Sequence, residues 1–583
     1  MRKDGKLCQA VCLSLSLGGL FGLGTVAEAK SGEDYVQKEV WVTATSSTNY
    51  AVAVSGSTTT TDGDFAALGT GKGNKGGSET TYRNITIGGD STKNVAVSSG
   101  RNFMDKGSII RVELGGILNV EDTITIKDGG FGEVRLSHTA QTGQSAGIFL
   151  KQGELNAKNI NIDATLSSGI TDSMAQIDGL YSFCGGFNVT GDTYIKTVTG
   201  AKTISALYLQ AQQKDNIFEG NITIGSVADG LWFNAGQSTA MGTKTENAYG
   251  IRLWGDGAKT YENKLNGTIT IGKVEGTLQA WGLNMNADKA TVNQLSVDNI
   301  NATNVGNAPS AYGVGSSSQD SVLNINSLSI GNINSTGQAH GIHAYMDDLK
   351  NDLTIGSVQI ASINAGDKAE GIYVGKTGGI TDFGNVALGS IKSGKGAAYG
   401  IEVIYGDVGF KDIRIDKVEN SDASQYSATG IEFGSLDRMN LSLNTANITV
   451  DGDVYLKEIL AHKYNAYGIK TLGEGTQTFT KTVQVDSVKA EAVATGVLMS
   501  SKASEWNDIV VGKVESVTSV ATGISAEGNN SGLSGSDKVV ATVKGNVEVK
   551  EIHGTVDHSN AENAALEAND GATLDIQGGQ KSI

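Results

Sequence analysis

The sequence predicts an all-β protein built as a right-handed parallel β-helix, and three observations carry that prediction. A tetrad Ala-x-Gly-Ile returns about every thirty residues, and a second element of alternating apolar residues returns with the same period. Gly accounts for 79 of the 583 residues and Pro for 1. A period near thirty marks a solenoid, in which no single unit buries its apolar side alone and stability comes from stacking. Period-two alternation rich in β-branched residues marks short strands, and parallel crossovers favour the right-handed coil.

Taken in chain order, residues 1–29 have the three parts of a secretory signal peptide. Arg2, Lys3 and Lys6 form the basic start, residues 7–23 a mostly apolar run, and Ala27-Glu28-Ala29 a small-x-small cleavage site. Cleavage after Ala29 would leave 42 basic and 60 acidic residues, a net charge of -18. No later stretch approaches the roughly 18 uninterrupted apolar residues of a membrane helix, so the mature chain is expected to carry no transmembrane segment. Of the three cysteines, Cys8 and Cys12 leave with the signal, and Cys184, between Phe183 and two glycines, is expected to be a packed and inert thiol. Disulfides therefore supply no rigidity.

Residues 30–100 read as an N-terminal entry or cap segment rich in Ser, Thr, Gly and Lys. Its Gly-rich loop at 69–77 has the composition of a phosphate loop, but the spacing fails and no strand-and-helix context follows. Strand grammar begins at Ile109, and residues 101–583 are assigned to β-helix repeats. The tetrad starts at Ala248, Ala280, Ala311, Ala339, Ala369, Ala398, Ala428, Ala466, Ala494 and Ala521, with looser copies at Ser145 and Ile177. The residue after each glycine is Ile251, Leu283, Val314, Ile342, Ile372, Ile401, Ile431, Ile469, Val497 and Ile524, which predicts a core column. The next residue is mixed (Arg252, Asn284, His343, Tyr373, Glu402, Glu432, Lys470), and strict alternation assigns it to solvent.

The second element starts at Ile222, Ile269, Leu295, Leu328, Leu353, Val386, Ile413, Val454, Val483 and Ile509. Its Gly or polar break suits a bend that reverses the face of the next side chain. Residues 234–247 and the long interval from Gly430 to Gly468 predict loops thrown out from single coils, and Asp451-Gly452-Asp453 predicts a turn. The chain stops seven residues past the strand-like 571–576, so the solenoid is expected to be incomplete at its C-terminus.

With its signal peptide, scarce cysteine, Gly-rich β-solenoid and Gly-Ala-Thr-Leu-Asp-Ile strand at 571–576, the chain resembles the passenger region of autotransporters, the type V secreted surface proteins of Gram-negative bacteria. The resemblance covers about residues 30–583 and rests on repeat grammar. It implies export through an outer-membrane β-barrel, which in the family follows the passenger, and an adhesin-like role at the cell surface or outside the cell. The amphipathic barrel strands and terminal aromatic of that family are not in this sequence.

The chemistry of the sequence is sparse. A formal charge of -17 leaves no excess of Lys and Arg for phosphates, so nucleic acid is not an expected partner. Glu402 with Glu432, and Asp407 with Asp437, share offsets from Gly400 and Gly430, which makes a Ca²⁺-binding acidic patch one reading and a hydrated acidic face the other. Tyr249, Trp281, Tyr312, Tyr399 and Tyr467 share the slot before the repeat glycine; the His340, Glu370, Thr429, Thr495 and Thr522 found there in other coils imply a corner exposed to water. That row is read either as a cover for the corner or as a stacking surface for a glycan or protein ligand. His340 and His343, three apart on a strand, are expected on opposite faces and unable to chelate. Gly89-Asp90-Ser91 lacks the surroundings of a nucleophile motif.

No catalytic, cofactor-binding or metal residue is assigned and no cofactor is expected. The leading expectation is a non-enzymatic β-helix of adhesin type that presents loops and one face to host, matrix or neighbouring cells. The alternatives are a β-helical polysaccharide lyase or hydrolase and a structural surface-layer component.

Overall fold

The structure is a computed structural model that describes residues 34–38, 40–43, 79–99 and 107–582, apart from 114, 139–143, 169–175, 229–230, 233–242, 256–259, 287, 305–307, 317–320, 347–351, 423–424, 435–444, 529–537 and 556–562. The signal segment, the 69–77 loop, Asp437 and most of the 234–247 insertion lie outside the described residues. The chain divides into two compact units, residues 1–294 and 295–583.

Both units are built from parallel strands that stack coil on coil, so each is a parallel β-helix, with no α-helix among the described residues. In the first unit, Leu180 lies beside Leu207, Leu207 beside Ile251 and Ile251 beside Leu283. In the second, Ile342, Ile372, Ile401, Ile431, Ile469, Val497 and Ile524 follow one another in register. All are buried, as the core-column reading requires. The second element supplies the opposite wall: Leu328, Val358, Val386, Ile413, Val454, Val483, Ile509 and Val547 form an unbroken buried file. The only antiparallel pair described joins Leu231–Trp232 to Thr243–Lys244, within the 234–247 insertion and its flank.

Large rings fill one interior line of the second unit. Phe383, Phe410, Phe433, Phe479 and Trp506 stack in that order, with centroid separations from 3.9 Å at Phe479–Trp506 to 6.0 Å at Phe433–Phe479. Offset-stacked pairs add about 0.5–1.5 kcal/mol each beyond the burial of their area.

Turn side chains also bond along the axis. In the first unit, Asn159 Oδ1 accepts from the Asp192 backbone N–H (3.0 Å), Asp192 Oδ1 from that of Asn221 (2.9 Å), and Asn221 Oδ1 from that of Thr268 (3.1 Å). In the second, Asp412 serves Asp453 at 3.0 Å and Asp453 serves Thr482 at 3.1 Å, which accounts for the turn at Asp451-Gly452-Asp453. A buried or half-buried amide must find a partner, and short acceptors at these bends meet that need where strand pairing lapses. Outward asparagines form parallel ladders: Asn188 to Asn156 to Asn119, and Asn364 to Asn334 to Asn301.

Coil stacking reaches further back than Ile109, since Ile85–Ile87 pairs with Ile124–Ile126 and Asp34–Gln37 with Asn84–Ile87. Cys184 is buried, free of disulfide and hydrogen-bonded to Gln212 Oε1 at 3.1 Å. Among the described residues no helix is long and apolar enough to cross a membrane.

Candidate functional site

The two breaks in each coil bend in opposite senses. At Gly225 the break places Gly225 and Ser226 both outward between inward Ile224 and Val227, as expected for a corner that closes the coil. At the tetrad the order is reversed. A Cβ at Gly341 would point into the core, 2.3 Å from Ile360 Cδ1, and the following Ile342 also faces inward. Two consecutive inward residues fold the wall toward the core, so the residues on either side of them, one before the glycine and two after it, both point outward and converge. The result is a concave channel running along the coils of each unit.

This geometry corrects three sequence expectations. The slot before the glycine is not a water-exposed corner: Tyr249, Trp281, His340, Glu370, Thr429, Thr495 and Thr522 are buried, and Tyr312, Tyr399 and Tyr467 are half-buried. The slot two past the glycine is not a solvent face, because Asn284, Tyr373, Glu402, Glu432, Leu498 and Ser525 are buried as well. His340 and His343 do not lie on opposite faces, for their ring centroids are 4.7 Å apart. Alternation fails across the glycine only for the two histidines; for the slot before the glycine the expectation of exposure rests on its polar residues, and the slot two past it does point outward but into the fold of the wall.

In the first unit the channel holds a ladder capped by cations. Phe149 stacks on Tyr181 (4.9 Å, 20°), Tyr181 on Tyr208 (4.6 Å, 10°), and the guanidinium carbons of Arg111 and Arg252 lie 5.0 Å from the Phe149 centroid and 4.6 Å from the Tyr208 centroid. Arg252 also lies 5.0 Å from the centroids of Tyr249 and Trp254. Arginine over aromatic faces is a recurrent attractive arrangement, stronger when water is excluded. Asp178, fully buried, accepts two bonds from Gln176 Nε2 at 3.0 and 2.9 Å. Burial raises the Tyr181, Tyr208 and Tyr249 hydroxyls above their ordinary range, so the ladder stays neutral between its cationic ends.

In the second unit the same channel holds ionisable groups. Tyr312 stacks on His340 (4.8 Å, 7°), and His343 on Tyr373 (4.9 Å, 19°). His340 Nδ1 is hydrogen-bonded to Glu370 Oε2, and Lys368 pairs with Glu370 Oε1 and, at 2.9 Å, with Glu402 Oε2. Lys470 pairs with Glu432 at 3.3 Å. His340 is 3% exposed and Glu370 1%. Burial pulls both imidazoles down to about 3, so both are neutral at neutral pH. Burial, helped by the neighbouring Glu370, pushes Glu402 up to about 8, and burial also raises Glu432 against the pull of Lys470. For Lys368 burial works against the charge, but the two carboxylates outweigh it and hold the ammonium protonated.

The acidic patch takes a different form from either sequence reading. Glu402 and Glu432 do stack in register, but buried and each against a lysine. Asp407 has Asn447 as its neighbour in the next coil, whose Nδ2 donates to Asp407 Oδ1 at 2.8 Å. The equal offset that linked Asp407 to Asp437 fails because this coil is longer: Ala428 pairs with Ala466, thirty-eight residues on. Gly89-Asp90-Ser91 is part of a turn in which Asp90 Oδ1 accepts from the Thr92 amide at 3.0 Å and hydroxyl at 2.7 Å.

Sequence reasoning missed Lys368 altogether, and placed His340 and Glu370 in one slot without joining them to His343. The available signal was the run of chemically matched residues in the two slots of successive coils. No family model matches the chain, and neither a curated protein nor a solved structure does. The class that the architecture defines is the parallel β-helix.

Proposed function

We propose that this chain is a non-enzymatic, exported β-helix of adhesin type, carried to the surface through an outer-membrane β-barrel, whose coil-borne loops contact a glycan or protein on host, matrix or other cells. The observation that carries the reading is how the channel groups are engaged. Glu370 and Glu402 share Lys368, Glu432 pairs with Lys470, and the aromatic rings stack on one another or under arginine. Groups committed in this way hold coils together; they are not poised as an exposed acid and base on a sugar ring. Ligand contact then falls to the loops that leave the coils, an inference from architecture and resemblance.

The test incubates the secreted chain with whole cells and a glycan array, and in parallel with acidic polysaccharides. Saturable binding without release of unsaturated sugar ends is the expected result. Released unsaturated ends would establish the lyase alternative, and ordered self-assembly without any ligand would establish the surface-layer alternative.

A further inference from the structure

We propose that His340, His343 and Glu370 form a binding site for a first-row divalent cation of the zinc type. One nitrogen from each ring and one carboxylate oxygen lie within 4.8 Å of one another, at adjacent coils of the second unit's channel. The coil geometry makes the set. Gly341 folds the strand Gln338–Met346 so that the side chains before and after it converge, and strand register places Glu370 directly against His340.

The donor chemistry fits such an ion. Two imidazoles and one carboxylate are a common set of three protein ligands for zinc, with further positions left for water or another ligand. Donor atoms about 2.1 Å from a tetrahedral centre lie roughly 3.4 Å from one another. The longest edge of the present triangle therefore has to shorten by about 1.4 Å when the ion binds, and His343 is the least buried of the three. His340 Nε2 is buried and has no hydrogen-bond partner, an arrangement that costs free energy unless something binds there. Around the three donors stands an outer layer of the kind that orients metal ligands: Lys368 grips the second oxygen of Glu370, and Tyr312 and Tyr373 sandwich the two rings. Lys368 and the cation share Glu370, so the proposed site is one of moderate affinity.

The proposal is independent of the adhesin reading. It is tested on the full secreted chain by titration with Zn²⁺ alone, followed by titration with Co²⁺, whose visible absorption reports inner-sphere geometry. One Zn²⁺ per chain is expected, with binding weakened at least tenfold in His343→Ala and in Glu370→Gln, and a Co²⁺ band that both variants lose. His343 is the primary target because its removal leaves the buried His340–Glu370 bond intact, and circular dichroism on each variant confirms the fold. His553→Ala, which removes an exposed His–Glu pair elsewhere, is expected to bind as the parent does. Binding that is absent from the parent chain, or that His343→Ala leaves unchanged, overturns the assignment.

Discussion

Replacing Gly341 by alanine tests the folded-in corner most directly. The added methyl would stand 2.3 Å from the Gly371 carbonyl oxygen and 2.3 Å from Ile360 Cδ1, against about 3.5–4.0 Å for carbon atoms in comfortable contact. The carbonyl belongs to the strand Ala369–Ser393, which is bonded to a coil on either side and has little freedom to retreat. Overpacking of this kind costs about 1–3 kcal/mol, and the backbone contact points to the upper half of that range. The chain offers its own comparison: Ala206 fills the equivalent slot between Ser205 and Leu207, buried and in register with the coil of Gly250. A methyl is therefore compatible with the backbone path in that coil, and at Gly341 two atoms oppose it, the Gly371 carbonyl oxygen and Ile360 Cδ1, of which only the second can be removed by substitution. Ile360→Val removes that atom at a cost of about 0.5–1.5 kcal/mol on its own. In the double variant the two costs should fall short of their sum by about 1 kcal/mol or more. A long stack of coils opens locally, so the assay is amide exchange in Gln338–Met346 and Asp352–Ala365, where 2 kcal/mol reads as roughly a thirtyfold loss of protection. Unchanged protection in Gly341→Ala, or strictly additive costs, would refute the account of the corner.

Trp506→Ala should be among the most damaging single changes, at about 3–5 kcal/mol, because it empties a fully buried site and unstacks Phe479; exchange in Ala494–Trp506 measures it. Asp453→Ala removes the acceptor of the Thr482 amide and should cost about 1 kcal/mol, read as lost protection at that amide. Burial holds the Glu432 carboxyl above its ordinary value of 4.5, so the folded state favours the protonated form. Its contribution is present in full below pH 4.5 and is lost as pH rises above that value; Glu432→Gln should flatten this slope in denaturant melts taken from pH 4 to 8. Arg252→Met keeps much of the side-chain length but removes the charge over Tyr208, and about 1 kcal/mol of local stability should go with it, measured by exchange in Asn247–Trp254.

The architecture was legible because stacking repeats its demands at every coil. The glycine, the apolar residue after it and the apolar file of the second element each recur in sequence because each meets the same surroundings in space. The channel was not legible for a related reason. Alternation assigns sides correctly along Leu328–Ile330, but it assumes an even count, and the pair Gly341-Ile342 spends two inward places in a row. One uncounted residue brings His340 and His343 to the same side of the wall, and the inward fold there buries His340 and Tyr373 although both point away from the core. The eight extra residues between Gly430 and Gly468 had a similar effect on Asp407, since a shared offset from the glycine means a shared position only between coils of equal length. Pairings between residues of different columns, such as Lys368 with Glu402, follow from neither period and needed coordinates.

The direction of the hydrogen bonds has a mechanical consequence. Within either unit the backbone bonds point from coil to coil, so a pull that lifts an end coil away from its neighbour opens them one after another, as a seam is unpicked. Drag across the side of the solenoid instead loads many bonds together. A stack made this way resists shear across its flank and gives way from an end. Each coil that peels releases about thirty residues, roughly 100 Å of extended chain, in a discrete step. Tension is thereby relieved in instalments, and the coils further in keep their shape while the outermost one yields.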